Sequence, residues 1–136
     1  MFKPVKIISS GANVPEPEYF CCDASLVAPA GVALISTPED GILMNGEGLK
    51  PFAILAKETK HGESEALCYR VTPSIVFETI LHGNPKNLYS GARVKIYVDS
   101  DEFLCGVTDE FEDGLATIYD LCDATKSGDK VLVYFE

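Results

Sequence analysis

No run of apolar residues in this 136-residue chain approaches the roughly 18 that a membrane-crossing helix needs. No positively charged start is followed by an apolar run of signal-peptide length, so neither membrane nor export is expected. Bases are scarce, 11 Lys plus Arg against 21 Asp plus Glu, giving a formal net charge of −10. A surface of that sign repels phosphate backbones, which argues against a nucleic-acid partner. The excess acid runs through both halves and is not gathered into a tail, as expected of a solubilising surface.

The five cysteines, Cys21, Cys22, Cys68, Cys105 and Cys122, are odd in number and include no Cys-x-x-Cys pair. A disulfide framework is therefore not expected, and the thiols read as small apolar side chains of a protein made in a reducing cytoplasm. Cys21 and Cys22 are neighbours, so on a strand they point to opposite faces and cannot clasp one ion together. The two histidines, His61 and His82, each precede a glycine, read as turn residues and lack zinc-ligand spacing to a cysteine. No phosphate-binding glycine loop, Gly-x-Ser-x-Gly elbow or His-Glu-x-x-His motif is present. No cofactor and no catalytic residues are assigned. Asp99, Asp101 and Glu102, with Asp109, Glu110, Glu112 and Asp113, form the densest acidic stretch. Phe103 stands where a third calcium ligand belongs and the turn glycine is missing, so these acids read as solvated loops.

What the chain does have is alternation. Apolar residues recur every second position in Val94, Ile96 and Val98, and again in the closing run Gly128-Asp129-Lys130-Val131-Leu132-Val133-Tyr134-Phe135. That period matches strands with one buried face and one wet face. Further short runs lie at 19–22, 31–36, 51–56, 65–71, 102–107 and 115–121, bounded by Gly, Pro, Asn and Asp. Asn45-Gly46 predicts a hairpin or loop. Thr72-Pro73 could open a helix, but Ile75, Val76, Thr79 and Ile80 are β-branched and Gly83-Asn84-Pro85 stops the run early, so a strand is expected. Nine or ten strands and no helix of three turns predict an all-β fold: a single compact antiparallel β-sandwich or barrel. The expected partition is an N-terminal arm, 1–17, and one β domain, 18–136. Phe2, Lys3, Pro4, Val5, Lys6, Ile7 and Ile8 fit either an extended arm that binds a partner or a first strand pairing within the domain.

The pieces Gly91-Ala92-Arg93-Val94-Lys95-Ile96, then Phe103-Leu104-Cys105-Gly106-Val107-Thr108, then Gly128-Asp129-Lys130-Val131-Leu132-Val133 follow one another as in the small head decoration, or cement, proteins of tailed phages, which the chain resembles. The likeness extends to Ala28-Pro29-Ala30-Gly31-Val32 and Ala53-Ile54-Leu55. It implies a small, acidic, all-β protein without cofactor that binds the outer capsid surface through arms and exposed edges. The major capsid protein would be its partner, and a homo-oligomer, a trimer by preference, its assembled state. Such a protein is made in the host bacterial cytoplasm and ends on the virion. The capsid-binding arm would be Phe2 to Ile8. Two other readings remain from the residues themselves: a small β-barrel enzyme or ligand-binding domain whose Cys, His and carboxylate groups converge in space, and an adaptor that recognises a peptide by strand addition.

Overall fold

Strand-forming runs from the two halves of the chain build two different sheets in the computed structural model, which describes residues 1–8, 14–45, 48–99 and 104–136. Residues 18–70 supply one sheet of five strands: β2 (Glu18–Cys21), β3 (Ala33–Thr37), β4 (Gly41–Met44), β5 (Ala53–Leu55) and β6 (Glu65–Arg70), in the order β2-β6-β5-β3-β4. The second half supplies β7 (Ile75–His82), β8 (Arg93–Val94), β9 (Ile96–Asp99), β10 (Leu104–Thr108), β11 (Ala116–Asp120) and β12 (Lys130–Phe135). These run β8-β11-β12-β7-β10-β9, and β1 (Lys3–Ile7) joins them by pairing with β7. The architecture is thus an all-β sandwich of two packed sheets and not a closed barrel, since among the described residues the edges of the five-stranded sheet meet only at one isolated bridge.

The two sheets bury apolar surface differently. In the larger one Val131, Val133 and Phe135 are buried while Leu132 and Tyr134 between them are half-buried, as alternation predicts for a sheet covered on one face. β5 instead buries Ala53, Ile54 and Leu55 in succession. The five-stranded sheet curls until the stretch after β2 meets β4 at a single parallel bridge, Cys22 to Ile42. Leu34, Ile42, Ala53, Leu55, Ala66 and Cys68 fill the inside of the curl, whereas Ala33 and Ile54 face the other way into the larger sheet's core with Phe77, Val94, Val107, Ile118, Val133 and Phe135. A central strand packed on both faces has no wet side, which is why its residues do not alternate.

Several features differ from the sequence reading. Among the described residues the strands number twelve, with one 3₁₀ turn at Pro85–Asn87. The expected run through Val94, Ile96 and Val98 is broken at Lys95, where the chain changes partner: β8 pairs with β11 and β9 with β10. The backbone of Lys95 bonds Glu110 and Thr108 at the break. The sheets are not wholly antiparallel, because β10 runs parallel to β7, with Val107 opposite Leu81 and Thr108 opposite His82. The Asn45-Gly46 hairpin and the start of the 102–107 run fall partly outside the described residues; the hairpin between β3 and β4 turns through Thr37–Gly41.

Within the N-terminal segment, Lys3–Ile7 is a strand paired with β7. Phe2 is 2% exposed and lies in the main core, so the first residues cannot leave the body without exposing an aromatic ring. β1 leaves the half of the chain it belongs to by sequence and adds itself to the sheet built by the other half.

Candidate functional site

The seven residues expected to meet a partner divide sharply. Phe2 packs on Phe77 and Phe135, and its N–H donates to the Gly31 carbonyl at 2.9 Å. Pro4 is buried opposite Phe77. The register slips by one residue between Pro4 and Lys6, which makes Val5 a bulge. Proline cannot donate to a ladder, and its position on a strand paired on one side fits that restriction. Lys6 donates to the Tyr119 hydroxyl at 2.7 Å with its ammonium 4.2 Å from the ring centroid. Lys3 and Ile8 are exposed, and Val5, Lys6 and Ile7 are half-buried. β1 pairs with β7 alone among the described strands, so its outer margin faces a cleft shared with Ala30, Gly31 and Tyr69.

Groups that could carry chemistry stay apart. His61 is exposed in a turn, while His82 ends β7 and stacks on Tyr97 with 3.9 Å between ring centroids. Burial first, and the N-terminal ammonium second, hold the His82 imidazole below its ordinary value. All five cysteines are free thiols: Cys21 and Cys122 exposed, Cys22 half-buried against the curl, Cys68 and Cys105 buried. Burial pushes the Cys68 thiol up to about 12. Among the described residues no hydrogen bond joins a histidine to a cysteine, and no group of three His, Cys, Asp or Glu is placed to hold a metal ion. Of the acidic stretch, Asp101 and Glu102 lie outside the described residues. Asp109 accepts from the Asn84 N–H at 2.8 Å, and Glu110 pairs with Lys95 at 3.7 Å.

Two aromatic arrangements escaped the sequence reading. Phe20 and Phe52 meet edge to face at 5.2 Å, and the Arg70 guanidinium sits 5.1 Å and 5.3 Å from their ring centroids while its Nε donates to Glu18 at 2.8 Å. Tyr89 and Phe111 lie nearly parallel, 6.4 Å between centroids and 26° between planes, with 61% and 46% of their surfaces exposed. An aromatic ring inside the acidic stretch from Asp109 to Asp113 was the available signal for the second; residues 18, 20, 52 and 70 offered none for the first. Compared with models of known families, with curated proteins and with solved structures, the chain has no match.

Proposed function

We propose that this protein is a non-enzymatic capsid decoration protein of a tailed phage, one that binds the outer surface of the head and stabilises the shell. The observation that supports this reading is where the resembling pieces lie. The strands from Arg93 to Phe135 that carry the likeness share one sheet with β1, the segment assigned to capsid contact, and β1 keeps its outer margin unpaired among the described strands. Gly91 and Gly128, the glycines that begin two of the pieces, both take φ +98° in turns ahead of β8 and β12, a conformation suited to glycine.

Within β1 the roles then separate. Phe2 and Pro4 anchor the strand in the core, and the outward residues Lys3 and Ile8, with the half-buried Val5 and Ile7, are the ones available to a capsid protein. A strand margin offers backbone donors and acceptors for augmentation, which needs no catalytic group. A cement protein stabilises by linkage: what binds only the assembled shell favours it, and contacts of about 1,000 Å² or more are needed for lasting occupancy. Several copies acting together, as a homo-oligomer, raise that occupancy by avidity.

The test is to image, and weigh by mass spectrometry, heads of the phage whose genome encodes this chain. Stoichiometric presence on the outer surface, rebinding of purified protein to heads lacking it, and weaker rebinding of the Lys3→Glu, Ile8→Asp variant are expected. Absence of the chain from virions overturns the reading.

A further inference from the structure

We infer that the exposed Tyr89–Phe111 pair is a docking surface for an arginine-bearing segment of a partner protein. The inference is independent of whether that partner is a capsid.

Two tight turns hold the backbone that carries the rings before anything binds. The Ala92 N–H donates to the Tyr89 carbonyl at 3.0 Å and the Gly114 N–H to that of Phe111 at 3.2 Å. Leu88, beside Tyr89, is buried in the main core, and the Leu115 N–H, just past the second turn, bonds the Val94 carbonyl at 3.0 Å. Aromatic side chains carried on an ordered backbone have only two rotatable bonds to settle when a partner arrives, so their ordering costs little. Neither ring is used by the core, so two large apolar side chains are left facing water side by side.

The chain itself supplies the pattern that identifies the occupant. In the Arg70 arrangement two aromatic rings and one carboxylate hold a guanidinium, by its attraction to the ring faces and by an ion pair. The Tyr89–Phe111 set has the same kinds of group in a different arrangement: two rings nearly parallel instead of edge to face, with the exposed carboxylates of Glu112 and Asp113 next along the chain from Phe111. Here the cation is missing. Among the described residues no Lys or Arg lies over Tyr89 or Phe111, and no ion pair engages Glu112 or Asp113. Arg93, whose backbone packs against Gly114, takes neither role. With a net charge of −10 on the whole chain, a basic segment is also favoured by the long-range field. Arginine suits the set better than lysine, because its planar head stacks on a ring while donating to a carboxylate from its edge.

The experiment uses the full chain, isotope-labelled, and three peptides of identical length: one with alternating Arg and Gly, one with Lys and one with the neutral isostere citrulline in place of Arg. At about 0.15 M salt, the Arg peptide is expected to shift amide signals of residues 88–92 and 110–114, the Lys peptide to do so more weakly and the citrulline peptide not at all. Tyr89→Ala and Phe111→Ala are each expected to weaken binding by about tenfold without lowering the melting temperature, since both rings are exposed. Glu112→Gln with Asp113→Asn is expected to weaken it similarly; asparagine tolerates the positive φ of 53° at position 113. Shifts spread evenly over all acidic residues, unchanged affinity in the aromatic variants, or a response of these turns to a neutral oligosaccharide but not to arginine overturns the inference. Capsid binding plays no part in the assay, so failure here and failure of the decoration reading are separately visible.

Discussion

Phe2 and Phe135 meet edge to face, with 5.4 Å between ring centroids. The contact ties the strand laid down first to the closing strand of the chain, across the centre of the larger sheet. Because Phe77 stands against both rings, the three form one aromatic knot beneath β1, β7 and β12.

That knot is expected to be worth several kilocalories per mole. Truncating a fully buried phenylalanine removes its transfer free energy and leaves a cavity, together about 3–5 kcal/mol. Phe2→Ala should lower stability by that order in urea denaturation, whereas Lys3→Ala, one residue away and exposed, should stay within about 0.5 kcal/mol. Equal effects of the two substitutions would show that β1 is not anchored through its aromatic residue.

The parallel pairing of β7 with β10 depends on a missing side chain. A Cβ placed on Gly106 would stand 2.5 Å from the Ile80 carbonyl oxygen and 3.0 Å from the His82 ring. The nearer obstacle is backbone, which cannot swing aside as the tip of a side chain can. Gly106→Ala is therefore expected to cost about 1–3 kcal/mol or more. Gly91→Ala meets nothing within 4 Å and strains only its φ of +98°, so a smaller loss of about 1 kcal/mol is expected. Thermal melts of the two variants compare the costs directly.

Much of this fold was legible because most strands announce themselves locally. The β-branched run Ile75 to Ile80 outweighed the helix-opening Thr72-Pro73, and β7 proved to be the strand on which β1, β10 and β12 all pair. Pairing was not legible. Nothing near Lys3 points to Glu78, and the parallel match of Leu81 with Val107 depends on how the intervening chain returns. The turn of partner at Lys95 was hidden for a related reason: Val94 and Ile96 keep the same apolar period whether or not the strand is continuous. For the candidate site, apolarity suggested partner contact along residues 2–8, yet Phe2 and Pro4 spend theirs inside the protein. The Arg70 arrangement draws on four separated positions, a set that only folding assembles.

Thiol chemistry should separate four of the five cysteines by burial. Cys21 and Cys122 are exposed, so a maleimide is expected to label them in the native state, with Cys68 and Cys105 reacting only after unfolding. Alkaline pH tests the same burial thermodynamically. The Cys68 thiol stands at about 12 in the folded chain against an ordinary 9.0, through burial first and the neighbouring Cys22 second. Below pH 9 both folded and unfolded forms keep the proton and the full stability remains. Above it the unfolded chain loses the proton first, so stability falls between pH 9 and 12 by up to about 1.4 kcal/mol per pH unit from this group. Cys68→Ala should flatten that part of the curve in denaturation series from pH 8 to pH 11; an unchanged slope would mean that the thiol is not sequestered in the curl.

His82 makes the opposite prediction, on the acid side. Its imidazole is held below the ordinary 6.5 by partial burial, with the positive N-terminus adding to the effect. A lowered histidine favours the neutral ring in the folded state. Its contribution to stability is therefore complete above pH 6.5 and is lost as pH falls through the folded value, because the unfolded chain takes up the proton first. The stacked contact with Tyr97, 16° from parallel, reports the same event. In a pH series followed by NMR, the His82 ring protons are expected to titrate with a midpoint below 6.5, and the Tyr97 ring signals should move with the same midpoint. His82→Gln should remove this acid-side loss of stability. A midpoint at or above 6.5 would mean that water reaches the ring freely and that the end of β7 is open.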